Sequence, residues 1–136
     1  MLTENVRNDA SEKVAVVTGS SKGIGKTIAV VFAKEGYKIV LNARDENELS
    51  EAVNDVKKTI GGNEERITWQ AIYIAGRHLL IFDRTHNQNV WQYIDVLVNN
   101  AGIGGAQKSV HELTSDEWDY VIDVNLRDHS CVHENQ

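Results

Sequence analysis

The sequence predicts an α/β fold built on an incomplete, doubly wound parallel sheet, with strands in the order 3-2-1-4 and flanking helices. Two observations lead to this fold class. Short apolar runs rich in β-branched residues alternate along the chain with segments of helical period, and a glycine-rich turn joins the first run to the first helix. Strands and helices that alternate at these lengths favour a parallel sheet covered on both faces.

The first predicted unit is strand, turn, helix and strand. Residues Lys13–Val17 form a continuous β-branched run, and Ile24–Lys34 places its apolar residues at helical spacing. Gly36 is a typical helix C-cap, and Lys38–Leu41 is a second short apolar run. These segments predict one parallel crossover.

The remaining predicted elements continue the alternation. Helical spacing over Glu46–Ile60 stops at a pair of glycines, after which Ile67–Ala71 is suited to a third strand. Ile94–Val98 is a buried type of strand, the fourth. Ser115–Leu126 reads as an amphipathic helix opened by Thr114 or Ser115, with acidic residues in its first turn.

Composition narrows the class of protein. The 136 residues carry a net charge of −6, and their basic residues form no stripe, so we expect no nucleic-acid partner. No apolar run approaches the ~20 residues that span a bilayer, so we expect no membrane association. Residues 1–12 are polar and read as a loose start without a targeting signal, and the single cysteine, Cys131, suits a reducing compartment. We therefore predict a cytoplasmic protein with one domain over residues 13–127.

The glycine-rich turn is the strongest functional signal. Its glycines lie between a predicted strand and a predicted helix, where small residues let the backbone approach a pyrophosphate and the helix N-terminus favours its charge. A tight turn without a ligand is the alternative, which the flanking strand and helix make less favourable. The predicted cofactor contacts in this turn are Gly19, Ser20, Ser21, Lys22, Gly23, Ile24 and Gly25.

Three motifs in order resemble the short-chain dehydrogenase/reductase family, with similarity to its 3-oxoacyl-ACP reductase and glucose dehydrogenase members. They are TGxxxGxG at 18–25, NNAG at 99–102 and DVNL at 123–126. The resemblance implies a Rossmann-like domain and hydride transfer between a nicotinamide cofactor and a small carbonyl or alcohol. It also implies that Asn99, Ala101 and Gly102 lie beside the adenosine ribose and that Asn125 is a catalytic asparagine.

Charge favours NADP over NAD as the cofactor. An NAD site usually presents an acidic side chain at the end of the second strand, whereas a 2′-phosphate needs a cation. Here Arg44 follows that strand and Lys22 stands inside the glycine turn, so the two cations can flank a phosphate. The alternative is that both are solvated surface charges and that Asp45 offsets the arginine.

The catalytic set that the resemblance implies is incomplete in this sequence. The family uses a serine and a tyrosine followed four residues later by lysine, all beyond NNAG, and Asn125 is the only member of that set here. Tyr73 is followed by Arg77, but it precedes NNAG, and we assign it no catalytic role. The alternatives are a nucleotide-binding fragment without turnover and an inactive gene product.

Two segments depart from the family pattern. Residues 72–92 contain neither the family's adenine-contacting aspartate nor the polar helix that follows it, and the tail at 128–136 does not match the family pattern either. Read in shifted frames, both segments allow runs similar to the family's, so we hypothesise that the reading frame has slipped and the protein is truncated. A divergent loop and a natural tail are the alternative. The spacing of His129, Cys131 and His133 lacks a zinc pattern, and we predict no metal site.

The missing strands have a structural consequence. Without a fifth strand, Ile94–Val98 lies at an open edge of the sheet, which favours self-association. The helix at 115–126 resembles the family's subunit-packing helix, so we predict a homo-oligomer formed through it, with Trp118, Val121 and Ile122 exposed in a lone chain.

Overall fold

The computed structural model describes residues 9–61, 67–71 and 94–127. The predictions for 72–92 and 128–136, including the His129, Cys131 and His133 cluster, lie outside the described residues. Strands and α-helices alternate along the described part as β1 (Val14–Val17), α1 (Gly23–Lys34), β2 (Lys38–Ala43), α2 (Glu46–Ile60), β3 (Ile67–Ala71), β4 (Val96–Val98) and α3 (Ser115–Ile122). Short 3₁₀ turns span Ala10–Glu12 and Val110–Glu112, and a π-helical turn, Asp123–Arg127, follows α3.

The four described strands form one parallel sheet in the order β3-β2-β1-β4, as predicted. In its centre Val16 pairs with Val40 on one side and with Leu97 on the other. The chain runs outwards from β1 to β3 and then returns to place β4 on the other side of β1. The carboxyl ends of β1 and β4 therefore flank the point where the strand order reverses, which is where open α/β sheets bind ligands.

The core lies between the sheet and the first two helices. Alternate residues of the central strands, among them Val17 and Leu41, are fully buried against α1 and α2. Helix α1 contributes Ala29 and Ala33, whose small side chains allow the helix to lie close to the sheet. A second, smaller cluster of Val14, Val16 and Val40 lies on the opposite face, with Ile94 and Leu97 packed against it. β1 is thus buried on both faces, as a continuous apolar run predicts.

Capping residues set the bounds of the helices. Gly36 follows α1 with φ at 98°, and α2 ends at Gly61, whose φ is 70°. Helix α2 begins after Asp45, whose carboxylate accepts a hydrogen bond from the backbone N–H of Glu48 at 2.9 Å. Thr114, the first of the two predicted alternatives, caps α3 in a reciprocal capping box with Glu117.

Five predicted elements differ in extent from those observed. β1 begins one residue later than predicted, α1 begins one residue earlier, and β2 ends two residues later. The other two differ for a tertiary reason. The helix predicted over Ser115–Leu126 is α-helical only to Ile122 and then widens into the π-helical turn, where the side chain of Asn125 bonds the backbone of Ile103. The strand predicted from Ile94 begins at Val96, because the carboxylate of Asp95 accepts the N–H of Val14 at 2.8 Å. In both places a tertiary hydrogen bond overrides the local pattern.

Within the described ranges, every helix is too short or too polar to cross a bilayer.

Candidate cofactor-binding site

A groove of about 820 Å³ opens at the carboxyl ends of the central strands. Its walls come from the glycine loop after β1, from the end of β2 and the start of α2, and from the segment after β4. Predicted site residues on these walls are Gly19, Ser21, Lys22, Gly23, Ile24, Arg44, Ala101 and Gly102. Four predicted site residues are not among the lining residues: Ser20, Gly25, Asn99 and Asn125. The groove is also lined by residues that were not predicted, among them Asn42, Asp45, Glu48, Asn100, Ile103 and Val124.

The glycine loop packs directly against the segment after β4. Gly19 has φ at 62°, and a Cβ there would lie 2.7 Å from the Cα of Ala101. A Cβ on Gly25 would fall 2.5 Å from the carbonyl oxygen of Gly19 and against Nδ2 of Asn100. Glycine at these two positions is therefore a condition for the TGxxxGxG and NNAG motifs to meet.

Hydrogen bonds from Thr18 and Asn100 join the same two motifs. The Thr18 hydroxyl accepts the backbone N–H groups of Asn100 and Ala101, each at 3.0 Å. In return, Nδ2 of Asn100 donates to the carbonyl oxygens of Thr18 and Gly19, again at 3.0 Å. Neither residue was among the predicted site residues. The available signal was a polar residue within two positions of the end of each apolar strand, since such a residue must find partners where the sheet buries it.

Ser20 lies beneath the groove and is fully buried. Its backbone N–H donates to the carbonyl oxygen of Asn42 at 2.9 Å, and its hydroxyl accepts the N–H of Asn42 at the same distance. Ser20 thus holds the glycine loop against the end of β2.

The N-terminus of α1 opens onto the groove. Its N-cap residue, Lys22, is extended and supplies no side-chain acceptor to the first turn. The first backbone N–H groups of a helix have no partner within it and carry the positive end of the helix dipole. Beside them Gly23 has φ at 59° and no atom within 4 Å of the position that a Cβ would take. This end of the helix therefore offers N–H donors and open space to an anion.

Charged side chains are among the residues that line the groove. The Nζ atom of Lys22 lies 3.1 Å from Oε1 of Glu48, and the Ser21 hydroxyl donates to Oε2 of Glu48 at 3.2 Å. Arg44 is exposed at the end of β2. The carboxylate of Asp45, the residue that the alternative pairs with Arg44, caps α2.

Asn125 fixes the backbone that follows NNAG. Its Oδ1 accepts the N–H of Ile103 at 2.7 Å, and its Nδ2 donates to the carbonyl oxygen of the same residue at 3.0 Å. Gly102 lies beside it, since a Cβ there would be 3.2 Å from Oδ1 of Asn125. Both polar atoms of the side chain are therefore used in positioning the loop.

Across residues 9–61, 67–71 and 94–127, no group of three or more His, Cys, Asp or Glu side chains could hold a metal ion.

Comparison with known proteins gives a consistent result. A family model described as short chain dehydrogenase matches residues 13–132. Glucose 1-dehydrogenase 2 of Bacillus subtilis is 34% identical over 118 residues, which are 87% of this chain and 45% of that protein. The 3-oxoacyl-[acyl-carrier-protein] reductase of Staphylococcus epidermidis is 38% identical over 117 residues, or 85% and 46% of the two chains. The chain thus spans about half the length of these curated relatives.

A solved structure shares both the fold and sequence similarity. It is a metagenomic short-chain oxidoreductase in complex with NADP, 31% identical, with a TM-score of 0.70 over 91% of this chain and 54% of that one.

Proposed function

The chain belongs to the short-chain dehydrogenase family, and we propose that it binds NADP(H) for hydride transfer between that cofactor and a small carbonyl or alcohol. One observation carries the cofactor assignment. The N-terminus of α1, which has no capping side chain, opens onto the same groove as two cations, Lys22 and Arg44. This combination suits a ligand with a pyrophosphate and a further phosphate.

The pyrophosphate fits the groove beside the N-terminus of α1. The N–H groups at the start of α1 and the helix dipole stabilise negative charge there. The open position beside Gly23 lets a phosphate approach the backbone closely. The close approach of Gly19 to Ala101 brings the glycine loop against the segment after β4 on the wall of this groove. We infer that these residues bind the pyrophosphate of the cofactor.

The 2′-phosphate fits the part of the groove that Lys22 and Arg44 line. A guanidinium binds phosphate oxygens in bidentate fashion, and an ammonium adds a second positive charge. Arg44 and Lys22 both line the groove, and the similar oxidoreductase was solved with NADP. We therefore assign NADP rather than NAD to this site.

The bound nicotinamide supplies or accepts the hydride, and the described residues bind and orient the cofactor. Asn125 acts as a positioning residue, because its side chain holds the backbone at Ile103. The 136 residues contain no tyrosine followed four residues later by lysine, so they supply no proton donor of the kind that the family uses. Hydride transfer, and the identity of the carbonyl or alcohol, are therefore proposed for the whole enzyme.

Assembly and location stay predictions. Trp118 on α3 is about half exposed, as predicted, whereas Val121 and Ile122 are only partly exposed, contrary to the prediction. Tyr120, which was not among the predicted residues, is also about half exposed. Trp118 and Tyr120 support the proposed contact between copies of the chain through this helix. We also propose a cytoplasmic location, on the basis of the single cysteine.

Calorimetric titration with NADP and NAD tests the proposed cofactor. We expect NADP to bind more tightly than NAD, and Arg44→Ala to weaken NADP binding by about tenfold while NAD binding is nearly unchanged, because a charge-assisted phosphate contact is lost. Lys34→Ala is the control, since it removes a charge at the far end of α1. A chain that binds neither nucleotide, or an Arg44→Ala variant that loses both equally, would contradict the assignment.

A further inference from the structure

Glu48 makes contacts that cofactor binding alone does not explain. It lies in the first turn of α2, and its two carboxylate oxygens bind two different side chains of the glycine loop. Oε1 is 3.1 Å from Nζ of Lys22, and Oε2 accepts the hydroxyl of Ser21 at 3.2 Å. The Asp45 cap fixes the backbone N–H of Glu48 at 2.9 Å, so the carboxylate projects from an ordered helix start.

The carboxylate of Glu48 uses the donors that a phosphate would use. A phosphate group accepts hydrogen bonds from hydroxyl and ammonium donors through separate oxygens, as this carboxylate does. Both residues of the ion pair are accessible: the side chains of Lys22 and Glu48 are 78% and 46% exposed. An exposed pair of this kind is weak, so an incoming phosphate can displace it.

We propose that Glu48 competes with the 2′-phosphate of NADP for Ser21 and Lys22, and that it thereby sets how strongly the site prefers NADP over NAD. The inference rests on the proposed function and assigns a specificity-determining role to an acidic residue at the cation-lined side of the groove. NADP must displace the Glu48 carboxylate and also meets its negative charge. NAD carries a hydroxyl in place of that phosphate, so it neither displaces the carboxylate nor is repelled by its charge.

Replacing the carboxylate by a neutral group tests this role. We expect Glu48→Gln to bind NADP about fivefold more tightly than the unaltered chain, with the Kd for NAD nearly unchanged. Glu48→Ala removes the hydrogen-bond acceptors as well and should show the same direction. Glu46→Gln is the matched control, since it removes an equal charge from the same turn of α2, and Glu46 is not among the residues that line the groove.

Titrations of all four chains with NADP and with NAD separate the outcomes. Tighter NADP binding in both Glu48 variants, without the same gain in Glu46→Gln, supports the competition. An equal gain in Glu46→Gln would reduce the effect to general charge and overturn the proposal. Weaker NAD binding with unchanged NADP binding would also overturn it, because the carboxylate would then hold the ribose hydroxyl. If the unaltered chain binds neither nucleotide, the proposed function fails, and this inference fails with it.

Discussion

Glycine serves two different purposes in the loop between β1 and α1. Gly19 and Gly25 leave room for other parts of the protein, since a side chain on either would meet Ala101, Asn100 or the loop itself. Gly23 instead combines a positive φ with open space on the groove side. The spacing of the glycines predicted a turn that approaches a pyrophosphate, but it could not predict the contact with NNAG. Thr18 and Asn100, which bond across that contact, are 82 residues apart in the chain.

Alanine substitutions at two of these glycines should separate their purposes. Gly25→Ala should lower the free energy of unfolding by about 2 kcal/mol, because the added methyl group meets the backbone of Gly19. Gly23→Ala should cost only about 1 kcal/mol, the strain of a positive φ, while losing most of the affinity for NADP. Urea unfolding and NADP titration of both variants measure the two effects. A Gly25→Ala protein of unchanged stability would show that the motifs do not need this close contact.

At the scale of elements, sequence patterns succeed where the cause is local. The helical spacing of apolar residues and the pair of glycines after Ile60 predicted the bounds of α2 as observed. Helical period and a left-handed C-cap are properties of the segment itself. The end of α3 could not be predicted in this way. Its last turn widens where Asn125 bonds Ile103, a partner that becomes adjacent only after folding. Tertiary hydrogen bonds of this kind leave no periodic signal.

The ion pair between α1 and α2 should make stability depend on pH. Lys26 donates to Asp55 at 3.0 Å, and this hydrogen bond, with the charge of Lys26, lowers the pKa of Asp55 below its usual 3.8. Because folding lowers the pKa of Asp55, the ion pair stabilises the protein fully when the pH is above the usual value of 3.8. This stabilisation is lost as the pH falls through the folded pKa.

Thermal unfolding across pH measures this contribution. At neutral pH, Asp55→Asn should melt at a slightly lower temperature than the unaltered chain, and the difference should disappear as the pH falls below the folded pKa of Asp55. Glu51→Gln, an exposed charge change on the same helix, is the control. A difference that persists unchanged in acid would show that the effect of Asp55→Asn does not arise from ionisation.

At the scale of the whole molecule, the sheet order brings the site together. Parallel strands in the order β3-β2-β1-β4 place the glycine loop, the end of β2 and NNAG at one edge. The sequence could predict this arrangement because the crossovers of parallel sheets follow few rules. It could not predict that Glu48 would hold Ser21 and Lys22, since that contact depends on where α2 lies relative to the loop.

An amide NMR titration of the whole chain with NADP tests the central claim most directly. If NADP binds in the groove, its addition should shift the backbone resonances of Gly23, Ile24 and Arg44 saturably, because the first two belong to the helix N-terminus and the third to the cation side. NAD should shift the same helix N-terminus with a smaller change at Arg44. Saturable shifts confined to α3, or no saturable shifts, would contradict the account.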